Sequence, residues 1–409
     1  MNQARVRGGQ NIIKVPQLAW HGPRDLELPL PEGWQVEVCN MAGYDRPAMD
    51  PKQIEAAVAN PIGMPPLREF ARDKKEVAII FDDLCRVTRV AEIVPFILKE
   101  LGEAGIPDTN IRFITALGNH GAMDRSGFVK KLGEATLARF AVYNHNAHDL
   151  CTYVGTTSRG TKVFVNSEVM HCDLKIAISS VSPHMSVAFS GGGKMILPGV
   201  CSIQTVETNH NLPPGDYETN SRRLDMEEAA KFAGLNFVIE CLVNLWGDTA
   251  ALFAGAETEA HEAAVQEARR HYLTPKAVDK DIVIANAYAK VMESAGSIKT
   301  AASLVQQGGS FVLISNSPEG QVVHFLGGVW GRTKTEGGRK ELRIPIPPNV
   351  QRAIVFTEYS DLAGLGFFKS LEKVEQMTRW NDVIQTLQRV HGDHARVAVY
   401  PSADIVYFG

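Results

Sequence analysis

The stretch VAIIFDDLCRVTRVAEIVPFILKELGEAGIPDTNIRFITAL, residues 77–117, decides the fold. Residues 77–83 form a short apolar run that ends in two aspartates, and residues 90–104 follow with apolar side chains at helical spacing. Residues 111–117 form a second apolar run, closed by Gly118-Asn119-His120. A strand, a helix and a strand in that order predict an α/β unit with parallel strands.

The alternation continues outward. Residues 175–180, 281–287, 310–315, 353–358 and 397–400 read as further strands, and 125–131, 225–245, 257–272, 298–307 and 370–390 as helices. A chain of 409 residues exceeds the usual size of one core. The fold expected is therefore α/β, with two domains of mostly parallel sheets flanked by helices and the active site in the cleft between them. The boundary falls near Thr274-Pro275, where one amphipathic helix finishes and a new strand begins. Residues 1–273 are the expected catalytic and cofactor-binding domain, and residues 274–409 an α/β domain closing over the site. The last strand is a candidate to return to the N-terminal domain.

Composition excludes several classes of function. Hydrophobic residues make up 44% and charged ones 22%, and the balance of 42 basic against 46 acidic residues gives a formal charge of −4. No basic surface or charged tail points to nucleic acid. Apolar runs such as 77–81 and 311–314 are too short to span a bilayer, and the N-terminal residues contain no apolar leader core. A cytoplasmic protein is expected. The six cysteines form no C-x-x-C pair and no regular framework, which suits reduced, buried thiols; Cys85 and Cys201 lie beside the motifs below.

Ligands of parallel sheets bind at the carboxyl ends of strands. Asp82-Asp83, Gly118-Asn119-His120 and Ser182-Pro183-His184 each follow an expected strand. Residues 182–210, SPHMSVAFSGGGKMILPGVCSIQTVETNH, place His184, Lys194 and His210 around a Ser190-Gly191-Gly192-Gly193 turn. Imidazole titrates near neutral pH, so His120 and His184 are candidates for paired acid and base. The turn fails the Walker pattern, because Ala188 stands where the first glycine belongs and Met195 replaces Ser or Thr. Its glycines still permit close backbone approach to an anion or ring. In Asp82-Asp83-Leu84-Cys85-Arg86 the guanidinium can hold a carboxylate bidentately, against the plainer reading of a solvated turn with an ion pair. His145, His148 and Asp149 lack an obvious third metal ligand and read as a polar loop, as do His391 and His394.

Jointly, these motifs resemble the nickel-pincer lactate racemases and their 2-hydroxyacid racemase and epimerase relatives. The matching pieces are Asp82-Asp83-Leu84-Cys85-Arg86, Gly118-Asn119-His120, Val154-Gly155-Thr156-Thr157-Ser158-Arg159-Gly160, residues 182–210, and Asp225-Met226-Glu227-Glu228-Ala229-Ala230, covering roughly residues 75–245. The resemblance implies a pyridinium-3-thioamide-5-thiocarboxylic acid mononucleotide carrying Ni, made by the host's own biosynthetic enzymes. It implies that Lys194 bonds the thioamide carbon, that His210 ligates nickel, and that the turn Ser190, Gly191, Gly192 and Gly193 approaches the cofactor. His120 and His184 would alternate as base and acid on the substrate hydroxyl, while Arg86 holds its carboxylate and Asp83 orients the site. Hydride would pass reversibly from substrate C2 to the pyridinium ring.

Lactate-specific members carry a Tyr-Gln-x-x-Lys segment in the second domain. The counterpart here is Met292-Glu293-Ser294-Ala295-Gly296, with Lys299 three residues on. Glu293 and Lys299 are thus the expected further substrate contacts, and a 2-hydroxy acid other than lactate is the expected substrate. Two alternatives stand beside this reading: a lyase or aldolase using Lys194 as a Schiff base, and a non-catalytic homologue that binds a small acid.

Overall fold

A computed structural model describes residues 5–7, 10–326, 343–360 and 364–409. The chain divides into two compact units, and each is built on a six-stranded sheet.

The unit formed by Asp45–Arg270 with Val323–Leu326 holds strands in the order Thr249–Ala256, Phe237–Val243, Leu174–Ser180, Val77–Asp82, Ile111–Ala116, Ala141–Asn144. All neighbours are parallel except Thr249–Ala256, which runs antiparallel to Phe237–Val243. Val77–Asp82 is buried along its whole length. Val77, Ile79 and Phe81 share one core with Ile93, Val94 and Ile97 of the helix Val90–Glu103. Ala78 and Ile80 share the other with Met226, Ala229 and Ala233 of the helix Ser221–Ala233. A strand covered by helices on both faces needs an unbroken apolar run, which is how residues 77–81 read. Each fully buried Ile or Phe here contributes about 1.5–3 kcal/mol.

Chain order reverses at Val77–Asp82, which has Ile111–Ala116 on one side and Leu174–Ser180 on the other. At such a switch point the loops leaving the carboxyl ends diverge and open a crevice. The loops carrying Asp83, His120 and His184 all leave from this end.

The second unit comprises Met1–Tyr44, His271–Val322 and Gly327–Gly409. Its strands are all parallel, in the order Val374–Met377, Arg352–Phe356, Val305–Ile314, Lys280–Asn286, Arg396–Tyr400, Gln35–Val38. Helix Ala295–Leu304 packs Ile298 and Ala301 on one face of the sheet. The other face is covered by Val383 and Leu387 of helix Trp380–His391 and by Ile13, Val15, Leu28 and Leu30 of the hairpin Gln10–Gln17/Arg24–Pro31. Among the described residues, no helix is long and apolar enough to cross a membrane.

The structure differs from the sequence expectation in four places. The expected 1–273 domain loses its first 44 residues to the second unit, because Gln35–Val38 satisfies the open edge of Arg396–Tyr400. The final strand pairs with Lys280–Asn286 and stays in that same sheet. The expected helix 225–245 is a helix, Ser221–Ala233, and then a fully buried strand, Phe237–Val243. Periodicity does not separate a buried strand from a buried helix; Gly234, left-handed at φ 68, ends the helix between them. In the same way the expected helix 370–390 is a strand, Val374–Met377, followed by Trp380–His391.

No atom lies within 4 Å of the position a Cβ would take at Gly234, so only backbone conformation opposes substitution there. Gly234→Ala is expected to lower the unfolding free energy by about 1–2 kcal/mol, measured by urea denaturation.

Candidate functional site

The loop after Val77–Asp82 is fixed from below. Lys131, fully buried on helix Arg125–Arg139, places its Nζ 2.7 Å from Asp82 Oδ1. The same ammonium donates to the carbonyl oxygens of Arg86 at 2.9 Å and Thr88 at 3.3 Å. Burial pulls the Lys131 pKa down, and the Asp82 carboxylate opposes it. Thr88 Oγ1 donates to the other Asp82 oxygen. Sequence reasoning missed Lys131, because a buried lysine at an interior helix position reads as an exposed one.

Above this pair stands an acid–imidazole dyad. Asp83 Oδ2 lies 2.7 Å from His120 Nδ1, and Asp83 Oδ1 accepts the Cys85 backbone N–H at 2.9 Å. The structure thus puts Asp83 on His120. A carboxylate at Nδ1 holds the proton there and leaves Nε2 as the basic nitrogen. Arg86 is buried beside the dyad, with Nη1 donating to the Cys85 carbonyl oxygen at 2.9 Å. The chain returns to this point at Val323–Leu326, where Gly121 N–H donates to Val323 O and Phe325 N–H to Asn119 O. This brings the His324 ring to 5.5 Å from that of His120, centroid to centroid. No local signal in residues 323–326 marks that return.

His184 sits on the short hairpin Pro183–His184/Ala188–Phe189. The Ser186 N–H donates to its Nδ1 at 3.2 Å, so the neutral ring carries its proton on Nε2. His120 and His184 are therefore held in opposite tautomers, one presenting a basic nitrogen and the other an N–H.

Lys194 lies in the 3-10 turn Gly192–Met195. The glycines before it are required by what lies behind them. A Cβ on Gly191 would run into Glu240 Oε1, one on Gly192 would lie 2.8 Å from His261 Cγ, and one on Gly193 2.8 Å from the Met226 carbonyl oxygen. Glu240 is fully buried and accepts the Gly192 N–H, and its other oxygen lies 2.8 Å from His261 Nδ1. Burial alone would depress the His261 imidazolium, but the Glu240 carboxylate, helped by Glu257, outweighs it and raises the pKa. Ser190 Oγ donates to Ser180 O at 2.8 Å and accepts the Ser182 N–H at 3.0 Å, stitching the turn to the end of its strand.

His210 lies in the last turn of helix Ile203–Asn211. Its neighbour Asn209 donates through Nδ2 to Asp225 Oδ2 and to Arg222 O, both at 2.9 Å, while Thr157 Oγ1 donates to Asp225 Oδ1 at 2.5 Å. Helix Ser221–Ala233 therefore holds the other elements in place. Its N-cap Asn220 donates to Ser186 O and Arg222 to Ser186 Oγ on the His184 hairpin, Met226 backs the Lys194 turn, and Asp225 clamps the His210 helix. Ser158 and Arg159 bond Glu228 farther along, which accounts for the two remaining sequence motifs.

Glu293 ends the turn Val291–Glu293 and Lys299 is exposed on helix Ala295–Leu304, both in the second unit. His145 is a satisfied core histidine. Its Nε2 bonds Cys201 O at 2.9 Å, Asn166 Nδ2 bonds its Nδ1, and burial pushes its pKa down to about 4. His391 Nε2 bonds Ser310 Oγ at 2.8 Å.

Residues 21–220 match the family described as the lactate racemase N-terminal domain, a span that contains Asp83, Arg86, His120, His184, Lys194 and His210. The lactate racemase of Lactiplantibacillus plantarum is 28% identical over 298 residues, 69% of this chain and 70% of that protein. The lactate racemase of Thermoanaerobacterium thermosaccharolyticum is 29% identical over 261 residues, 61% of this chain and 60% of that protein. Over these residues the chain is similar to the lactate racemase family. The fold agrees with that of the lactate racemase apoprotein from T. thermosaccharolyticum, at a TM-score of 0.73 and 20% identity over 97% of this chain and 99% of that one. A solved Thermotoga maritima protein has a TM-score of 0.64 at 16% identity, over 88% of this chain and 98% of that one.

Two expectations follow from these contacts. Asp225→Ala strands two buried donors and is expected to cost about 2–4 kcal/mol of unfolding free energy, measured by urea denaturation. The raised His261 pKa gives stability that is full below the unfolded value of about 6.5 and is lost as pH rises through the folded one. The stability difference between wild type and His261→Asn should therefore shrink on the alkaline side of neutrality, as followed by denaturation across a pH series.

Proposed function

We propose that this chain is a nickel-pincer-dependent racemase or epimerase of a 2-hydroxy acid. The observation that carries the reading is the pairing of Asp83 with His120 at 2.7 Å, on a loop at the switch point of the sheet, with His184 fixed in the complementary tautomer. The donor set suits the cofactor: Lys194 offers a primary amine for covalent attachment and His210 an imidazole of the kind nickel accepts. Both segments pack on the same helix, Ser221–Ala233. Held there, the pyridinium nucleotide would supply an electrophilic ring suited to storing hydride.

The protein's own part is to orient the substrate and exchange protons. Arg86 is a buried guanidinium suited to a carboxylate, which fixes the substrate head while leaving C2 accessible. His120 takes the hydroxyl proton on Nε2 as C2 loses hydride, and Asp83 stabilises the imidazolium that results. As an imidazolium, with Nδ1 released from the Ser186 N–H, His184 would give its Nε2 proton to the oxygen on the other face and become neutral; for the opposite configuration the two rings exchange protonation states and roles. Met292-Glu293-Ser294-Ala295-Gly296 lacks the amine of lactate-specific members, which favours a larger acid than lactate, with Glu293 and Lys299 as its further contacts.

The test is proton NMR in D2O with nickel-loaded protein and a panel of lactate, malate, 2-hydroxyglutarate, phenyllactate and gluconate. Inversion at C2 with the C2 proton kept is the expected result. Deuterium gained at C2 would replace hydride storage by proton abstraction, and no conversion of any acid would overturn the reading. His120→Ala and His184→Ala should each lose about 10²–10⁴ in kcat with nickel retained, and His210→Ala should lose the nickel. Equal nickel loss in all three would overturn the assignment of roles.

A further inference from the structure

Three different donor types converge in the loop after Val77–Asp82. An Asp83 carboxylate oxygen, the Cys85 Sγ and a ring nitrogen of His120 all lie within 4.8 Å of one another. Asp83 and Cys85 are buried, at 5% and 2% exposure, and His120 is nearly so. None of the catalytic steps described above uses the Cys85 thiol. We propose that Asp83, Cys85 and His120 form a second metal site, distinct from the nickel position at His210, which takes a zinc-type divalent cation and silences His120.

The donor chemistry selects the metal class. One thiolate, one imidazole and one carboxylate suit zinc or cobalt(II), whereas magnesium and calcium prefer oxygen alone. Ligands about 2.0–2.3 Å from a tetrahedral zinc stand about 3.3–3.8 Å apart. The cluster is already close to that size, and Asp83 and His120 need only part slightly from their 2.7 Å hydrogen bond. Thiolate and carboxylate together carry two negative charges, which a divalent cation neutralises in a buried place. The site is also rigid before metal arrives. Asp83 is tied by the Cys85 N–H, and Lys131 pins the loop through Asp82 and the carbonyl oxygens of Arg86 and Thr88. Lys131 interacts electrostatically with Cys85. Three protein ligands leave a fourth position for water or an incoming carboxylate.

The consequence for catalysis rests on the proposed function. A metal on His120 Nδ1 forces the remaining proton onto Nε2, and a metal on Nε2 uses the lone pair itself. Either way His120 no longer accepts a proton, so zinc inhibits without displacing nickel.

Cobalt(II) titrated into nickel-free wild-type protein is expected to give one equivalent of tetrahedral cobalt with thiolate-to-metal charge-transfer absorption. Cys85→Ser should lose that absorption, and His210→Ala should keep it. Its absence from wild type, or its persistence in Cys85→Ser, would overturn the site. A readout without mutation is alkylation of Cys85 followed by peptide mass spectrometry: zinc should slow it at least tenfold, and no protection would equally overturn the site. In the nickel-loaded enzyme, zinc should inhibit wild type at least tenfold more strongly than Cys85→Ser. That variant keeps basal turnover, because Arg86 bonds only the backbone carbonyl of residue 85. Cobalt binding without zinc inhibition would keep the site and overturn the base role of His120, so the two readings fail separately.

Discussion

Asp225 is a fully buried carboxylate that accepts from Thr157 and Asn209 at once, and the arrangement of the site depends on it. Left without those donors it would be a charge in the core, a far larger cost than either hydrogen bond repays. The pull is therefore strongly directional, drawing the His210 helix and the 157–161 turn onto helix Ser221–Ala233. Along the same helix Asn220 and Arg222 hold the His184 hairpin and Met226 backs the Lys194 turn. The segments of His184, Lys194 and His210 are thus referenced to one element. Geometry set this way costs nothing at the moment of reaction.

A second buried pair does the same for the opposite wall. Lys131 and Asp82 neutralise each other beneath the sheet's carboxyl edge, and the ammonium spends its remaining donors on the carbonyl oxygens of Arg86 and Thr88. The loop that carries Asp83, Cys85 and Arg86 is held by charge where a loop would otherwise move. On this floor the Asp83–His120 dyad stands, and Glu240 with His261 supports the glycine turn in a comparable way. Buried ion pairs of this kind contribute little net stability, and here they fix one conformation of the loop.

Much of this was legible in the sequence. The apolar runs at 77–83, 111–117, 175–180 and 281–287 read correctly as strands, because a sheet covered on both faces leaves an unmistakable local composition. The clusters after those strands placed Asp83, His120 and His184 at one edge. Phe237–Val243 reads locally as helix because full burial erases its alternation. The pairing of Gln35–Val38 with Arg396–Tyr400 is not legible, because the partner lies at the other end of the chain.

By itself the sequence determined the types of element and the spacing of the reactive groups, since periodicity and motif are local properties of the chain. Only the tertiary structure decided which group touches which. Asp83 meets His120 across 37 residues, Glu240 meets Gly192 across 48, and Lys131 meets Asp82 across 49. These pairings arise from strand order at the switch point and from the cost of burying an unpaired charge. Both are properties of the packed fold, and with them come the tautomers, the shifted proton affinities and the placement of Cys85 beside His120.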